Sequence, residues 1–352
     1  MNDDRTCRVQ GQPGCRRLLL LLLIPGALVG CRPASDPPPP IAISGSSTVF
    51  PILQQSLAAW RASHPREAGA FNLREVGTTA GLKAFCLGDL AVANASRPIN
   101  SSELRACAAR GIDFIELPIA FDAVTVVVHP SNTWARQITT KELARLWGRQ
   151  AQGTVTRWSQ VNNDWPDSPI RLCGPGKDSG TFDYFNKAIN GDVGNSRQDV
   201  VVSEDDNQIV RCVVDHPDAI GYFGFGYFRA NASSLKPVAI DAGKGAILPS
   251  LQSVQDQTYT PLSRPLFIYV NDGIMRRNAL LRRFVTFTVG QGLGFVEKAG
   301  FIPLPGSTYR VVESKLHRHL LGTSFGGDLP VGLGIGEALR RSFDETRRPE
   351  FR

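Results

Sequence analysis

Histidine is scarce in this 352-residue chain, five in all, and none stands beside a second motif that would make it a general base or a metal ligand. Cysteine pairs of the C-x-x-C kind are missing, which removes the commonest zinc spellings. There is no run of five like charges and no basic helix interleaved with aromatics. The formal net charge of +7 is therefore diffuse and argues against a nucleic-acid partner, while leaving room for a small anion. The apolar run Leu18 to Leu28 is too short to span a bilayer. Two catalytic spellings also fail. A Walker phosphate loop would need glycine at Arg171 and Ser or Thr at Asp178, and a serine-hydrolase elbow around Ser179 would need glycine at Lys177.

The chain is long enough for roughly two domains, each with its own core. Residues 1–30 have the layout of a secretory signal, with Arg16 and Arg17 ahead of "LLLLLLIPGAL". The tetrapeptide "LVGC" that ends it resembles the bacterial lipoprotein processing box, which would make Cys31 the lipidated first residue; a plain signal with an incidental cysteine is the alternative. Residues 31–40, "CRPASDPPPP", read as an extended proline-rich tether. Cys7 and Cys15 leave with the signal, so four cysteines remain for an exported, oxidising setting. Cys86 with Cys107 and Cys173 with Cys212 is the most economical of three pairings.

Three loops share one design. In "LCGPGKDSGTFDYFNKAI" a glycine-rich turn with Asp178, Ser179, Gly180 and Thr181 runs straight into a helix whose apolar face is Phe182, Phe185, Ala188 and Ile189. In "IAISGSSTVFPILQQSLAAW" a short strand leads through Ser46, Ser47 and Thr48 to a helix with Pro51 in its first turn. In "REVGTTAGLKAF" Gly77, Thr78 and Thr79 precede a third. Any one of these is equally an ordinary capped turn. Three together place many N–H and O–H donors at helix N-termini, which is what a small, highly charged oxyanion needs.

Further on, "AVANASRPI" reads as a strand ending in Ser96 and Arg97, an arginine able to offer a two-pronged hydrogen bond to an anion or simply to sit in solvent. "GIDFIELPI" and "FDAVTVVVHP" are expected to be two more strands, with Asp122 at the head of the second, and Thr139 with Glu142 makes a capping box. Strand and helix alternate to "DAIGYFGFGYF", the strand "RPLFIYV" follows, and helices take over after Asp272. The reading is an α/β chain.

The set "SGSSTVFPI", "NASRPI", "TTKELARLW", "GPGKDSGTFDYF", "SEDDNQIVRCV", "IGYFGFGYF" and "SRPLFIYV", in order from about Ile41 to Phe343, resembles the phosphate-binding proteins of bacterial ABC phosphate transporters. The resemblance implies a type II periplasmic-binding-protein fold: two α/β lobes joined by a two-strand hinge, with the ligand in the cleft. Residues 41–127 plus 266–345 would form the first lobe and 128–265 the second, and the lobes would close on the ligand. It implies a monomeric, non-enzymatic protein, lipid-anchored in the periplasm or on the outer face of a membrane, that binds inorganic phosphate and delivers it to permease subunits. The ligand contacts carried over are Ser46, Ser47, Thr48, Thr78, Ser96, Arg97, Ser179, Gly180 and Thr181. No cofactor is implied.

Two departures bear on the ligand. Pro175 stands where many relatives carry an arginine, and Lys177 is a candidate replacement without the bidentate fork. Ala91 stands where an acidic residue often precedes "ASR". A buried carboxylate that accepts the proton of phosphate would reject sulphate, and Asp122 and Asp178 are the candidates for that acceptor, each equally a hinge or capping residue. Other oxyanions on the same fold (sulphate, arsenate or a phosphonate) remain an alternative. So do a secreted phosphatase using Ser179, for which no base is evident, and a surface adhesion or sensing role.

Overall fold

The structure, a computed structural model, describes residues 39–256 and 258–327. The signal segment, Cys31, all but the end of the tether and residues 328–352 lie outside them.

The short apolar runs form twelve strands among the described residues. These are β1 Ile41–Gly45, β2 Phe71–Glu75, β3 Val92–Ala95, β4 Phe114–Val128, β5 Gln137–Thr139 and β6 Arg171–Pro175. After them come β7 Val201–Ser203, β8 Ala219–Gly224, β9 Lys236–Pro237, β10 Ala239–Asp241, β11 Ala246–Ile247 and β12 Ser263–Asn271. The main sheet runs β2-β1-β3-β12-β4-β8-β6-β7, and β5, β10 and β11 make a small second sheet. Parallel pairs β1·β2, β1·β3, β6·β7 and β6·β8 sit at the two ends, where helices cover the faces.

Between those ends lie β12 and β4, antiparallel to each other and to their outer neighbours. The two strands expected from "GIDFIELPI" and "FDAVTVVVHP" are one strand of 15 residues, all of them buried, with Asp122 inside it rather than at its head. No water-exposed stretch exists at which a turn could form. Pro118, which lacks an N–H for the ladder, stands where the register with β12 shifts between Leu266 and Phe267. The first part of β4 pairs with β12 and the last five residues with β8, so a single strand belongs to both halves of the sheet. That is the architecture of a two-lobed binding protein with crossing strands between its lobes.

Each half has its own core. Ile43, Leu57, Trp60, Ile268 and Val285 pack in the first, and Val124, Leu143, Trp147, Phe185 and Tyr222 in the second. The expected helices form where their apolar spacing put them: Phe50–Ser63 with proline in its first turn, Thr78–Leu87, Thr140–Trp147 with its Thr139/Glu142 capping box, and Gly180–Asn190 capped by the Ser179 hydroxyl. Among the described residues four helices follow β12, from Asp272–Arg277 to Gly306–His317. Both expected disulfides are present, Cys86–Cys107 and Cys173–Cys212.

Candidate functional site

The loops predicted from glycine and hydroxyl spacing meet at the centre of the molecule. β1 delivers Ser46, Ser47 and Thr48 to the N-terminus of helix Phe50–Ser63. β2 delivers Thr78, β3 delivers Ser96, and β6 delivers Ser179, Gly180 and Thr181, and all of these residues are buried. They come together in pairs. The Thr48 and Thr181 hydroxyls lie 3.2 Å apart across 133 residues of sequence, and those of Thr78 and Ser96 also 3.2 Å apart. The Ser96 amide donates to the Thr78 hydroxyl at 3.1 Å. Gly180 closes the group from the other half: a methyl placed on its Cα would come within 2.5 Å of the Thr78 oxygen and 2.6 Å of the Ser96 oxygen. Only glycine lets the β6 loop come this close. Gly77, with a φ of 88°, gives the second close approach, its Cα resting on the backbone of Asp178, whose carbonyl accepts from the Thr79 amide at 2.9 Å.

Two members of the set have local tasks. The Ser46 hydroxyl accepts from the Val49 amide at 3.4 Å, and the Ser179 hydroxyl accepts from the Thr181 amide at 3.1 Å, so both organise helix starts.

The cation inside the cluster is Arg264, at the start of β12, a residue that spacing alone did not single out. It is fully buried. Its Nη2 donates to Thr181 Oγ1 at 2.8 Å and Thr48 Oγ1 at 3.4 Å, and its Nη1 to the Gly180 carbonyl at 3.2 Å. Nε and Nη2 both reach Asp122 Oδ2, at 3.1 and 2.8 Å. Asp122 completes its bonding with the Phe225 amide at 2.8 Å. This carboxylate is therefore the counter-ion of Arg264, tying β4 to β12 beneath the cluster. An arginine just ahead of an apolar strand was the available signal, because burying a guanidinium requires a purpose.

Arg97 is buried too, but its fork is occupied. It bonds Glu103 through both terminal nitrogens at 2.8 Å, Asp183 through Nε at 2.6 Å, the Thr79 hydroxyl at 2.9 Å and the Pro98 carbonyl at 3.1 Å. Burial works against its charge, but the hydrogen bonds and charges of Glu103 and Asp183 outweigh this and hold it firmly protonated. Asp183 belongs to helix Gly180–Asn190 and Arg97 follows β3, so the ion pair crosses between the halves. Thr79 reinforces the crossing with its own bond to Asp183 at 3.2 Å.

Lys177 and Asp178 stand apart, with exposed side chains. A carboxylate that spacing did not select lies closer in. Asp206, the first residue of helix Asp206–Val214, is 1% exposed, and the Ser47 hydroxyl donates to its Oδ2 at 2.9 Å. The Ser47 carbonyl in turn accepts from the Tyr227 hydroxyl at 3.0 Å. Burial pushes the Asp206 carboxyl up to about 7, opposed by the Ser47 hydrogen bond and the Arg264 charge and reinforced by Asp122 and Glu75. Among the described residues no three His, Cys, Asp or Glu side chains group to hold a metal ion. Four of the histidines, His64, His129, His216 and His319, bond to groups outside the cluster.

Two α/β halves, shared crossing strands and buried hydroxyls gathered beside a buried guanidinium are the make-up of a substrate-binding protein, and sequence comparison agrees. The profile described as "PBP superfamily domain" matches residues 32–291, and the chain belongs to that superfamily of binding proteins. It is 43% identical over 324 residues to the protein SphX of Synechocystis sp., covering 92% of this chain and 95% of that one. It is 32% identical over 269 residues to the phosphate-binding protein PstS of Staphylococcus haemolyticus, covering 76% and 81%. A crystal structure of "a possible phosphate binding protein" from Planctomyces limnophilus superposes with a TM-score of 0.60 at 39% identity, over 80% of this chain and 98% of that one.

Proposed function

We propose that this chain captures inorganic phosphate outside the cytoplasm and delivers it to the permease of an ABC transporter. The observation that carries the reading is the meeting of buried hydroxyls from separate loops: Thr48 and Thr181 share the buried Arg264, and Thr78 and Ser96 pair against Gly180. Such a set suits a small tetrahedral oxyanion, since every oxygen meets a neutral donor and one fork supplies charge. The names of the relatives point to the same ligand.

In this reading the paired hydroxyls turn from one another to the phosphate oxygens. Ser46 and Ser179 hold the two helix starts in place, and Gly180 presents its N–H at the start of its helix. Arg264 supplies the charge that an arginine in place of Pro175 would have brought, and Lys177 and Asp178 stay at the rim. Arg97 completes the site by holding it shut, through Asp183. Residues 41–127 with 266–345 act as one lobe and 128–265 as the other, turning about β4 and β12. The protein works as a monomer, anchored to the membrane by lipid on Cys31 and held off it by the proline-rich tether. The reading is of a binding protein rather than an enzyme, and in it the Ser179 hydroxyl, which accepts from the Thr181 amide, serves as a helix cap.

Calorimetric titration of the purified protein with potassium phosphate tests the reading. Saturable binding at micromolar concentration or tighter is expected. Absence of heat and of any thermal-shift response at millimolar phosphate would remove phosphate as the ligand.

A further inference from the structure

β7 is the outer strand of the main sheet, paired with β6 on one side only, and two of its three residues, Val201 and Val202, leave their side chains about half exposed. Val202 lines a cavity of about 180 Å³ between β6, β7 and the helices Thr140–Trp147 and Gly180–Asn190. Its walls are the rings of Trp147, Phe182 and Tyr222 with Val200 and Val202. Trp147 packs edge-on to Tyr222 at 4.9 Å and Phe185 stacks on Tyr222 at 3.9 Å, so these walls are braced from behind. The departure from the family pattern at Pro175 falls here as well: an apolar ring lines the cavity at the position where many relatives carry a guanidinium. An apolar hollow of about 150 Å³ is enough for a benzene ring.

The charge around it is one-sided. The lining holds two cations, Lys177 and Arg197, and no carboxylate. Lys177 is exposed and has no ion pair among the described residues. Arg197 is 4% exposed, and four of its five N–H groups are spent: on Asp199 at 2.6 and 2.8 Å, on the Leu146 carbonyl at 3.0 Å and on the Val155 carbonyl at 2.9 Å. The fifth, on Nη2, has no acceptor among the described residues, and neither has the buried indole N–H of Trp147. Buried donors left unspent are costly, so this lining favours a guest that brings acceptors. Two acids lie nearby without cancelling Lys177. Asp199 is taken by Arg197, and Glu204, which rests against Gly176, accepts from the Asp178 amide at 3.2 Å while burial raises its carboxyl toward the neutral form.

We propose that this cavity is a second ligand site for a small planar aromatic carboxylate of about the size of benzoate, its ring among Trp147, Phe182 and Tyr222 and its carboxylate toward Lys177. None of the hydroxyl residues of the central cluster lines it, so the site is separate and does not rest on the phosphate reading. The ring supplies most of the affinity by leaving water for apolar walls. The charge at the open edge stays partly hydrated and adds less, chiefly choosing an acid over its neutral analogue.

The test follows the fluorine NMR line of para-fluorobenzoate on the whole protein, with and without about 10 mM phosphate. Saturable binding at about 1 mM or tighter is expected, unchanged by phosphate. The para-fluorobenzyl alcohol, the same ring without the charge, should bind about threefold more weakly, the worth of one exposed ion pair. Val202→Glu, a like charge at an exposed position of the cavity edge, should weaken the acid about tenfold and leave phosphate binding as it was. Lys177→Gln should bring the acid down to the level of the alcohol. No binding of the acid up to about 10 mM, its displacement by phosphate, equal affinity for acid and alcohol, or unchanged affinity in Val202→Glu overturns the proposal. Lys177→Gln decides if Val202→Glu does not fold. A protein that binds no phosphate fails the phosphate reading alone, and the alcohol and the two variants still judge this site.

Discussion

Arg264 and Arg97 are both buried arginines, yet they do opposite work. Arg264 has one carboxylate, Asp122, and turns its remaining donors toward the Thr48 and Thr181 hydroxyls and the Gly180 carbonyl. Arg97 has two carboxylates, Glu103 and Asp183, and its donors are used up among them, Thr79 and a carbonyl. A guanidinium with one partner retains an interest in a visiting anion; a guanidinium between two does not. The difference is one of partners and not of burial: one carboxylate leaves a guanidinium donors for other groups, and two leave it as a brace. That is why the proposed function gives the charge of the site to Arg264 and the bracing to Arg97.

The largest effect is expected from Arg264→Met. It leaves Asp122 charged and unpaired in a dry interior, at a cost of about 3–5 kcal/mol of stability, and removes phosphate binding altogether. Denaturant melts and calorimetry read the two losses separately. A variant that melts normally and still binds would mean that the hinge cation is not the ligand's partner.

Asp206→Asn probes a buried charge with the opposite sign. The carboxyl sits at about 7 in the folded protein against 3.8 as the ordinary value. A raised acid favours its neutral form in the fold, so ionising it costs stability: nothing below about pH 4, increasing through the window, and the full amount above about pH 7. Removing the charge should stabilise the protein at about pH 8 relative to about pH 4, by about 2–4 kcal/mol from a shift of about three units. Thermal melts of both proteins across that range check the sign. A constant difference at every pH would show that Asp206 is not raised.

Arg97→Ala should be milder. Glu103 keeps its bond to the Asn100 amide, so the helix Ser101–Ala109 stays capped, and the loss falls on the bridge to Asp183. Phosphate affinity is expected to drop about tenfold, chiefly through faster release, with small-angle scattering showing a more open unliganded particle. If instead binding disappears as completely as in Arg264→Met, Arg97 touches the ligand itself and the two arginines share the task.

The parts of the site that could be read in the sequence are those made by neighbours in sequence. Gly45 to Thr48, Gly77 to Thr79 and Ser179 to Thr181 each announce a strand-to-helix turn with donors, because the cap, the glycine and the apolar helix face lie within a few residues of one another. What escaped notice depends on partners far apart. Arg264 meets Asp122 across 142 positions, and Ser47 meets Asp206 across 159. Nothing local distinguishes Asp206 from Asp205 in "SEDDNQIV"; helix geometry alone buries one and leaves the other to cap. The division of β4 into two strands failed for a related reason. The ladder with β12 runs on because β4 itself takes up the irregularity: Ala120 pairs with Leu266 and Pro118 with Phe267, leaving Ile119 between them.

The two disulfides have a topology worth following outward. Cys86–Cys107 joins helices Thr78–Leu87 and Ser101–Ala109 within the first half, and Cys173–Cys212 joins β6 to helix Asp206–Val214 within the second. Neither crosses β4 or β12. An oxidising environment therefore hardens each jaw and leaves the joint untouched, so the protein's durability and its motion are set by different bonds. Reductant would be felt as a softer, more perishable molecule with the same bite.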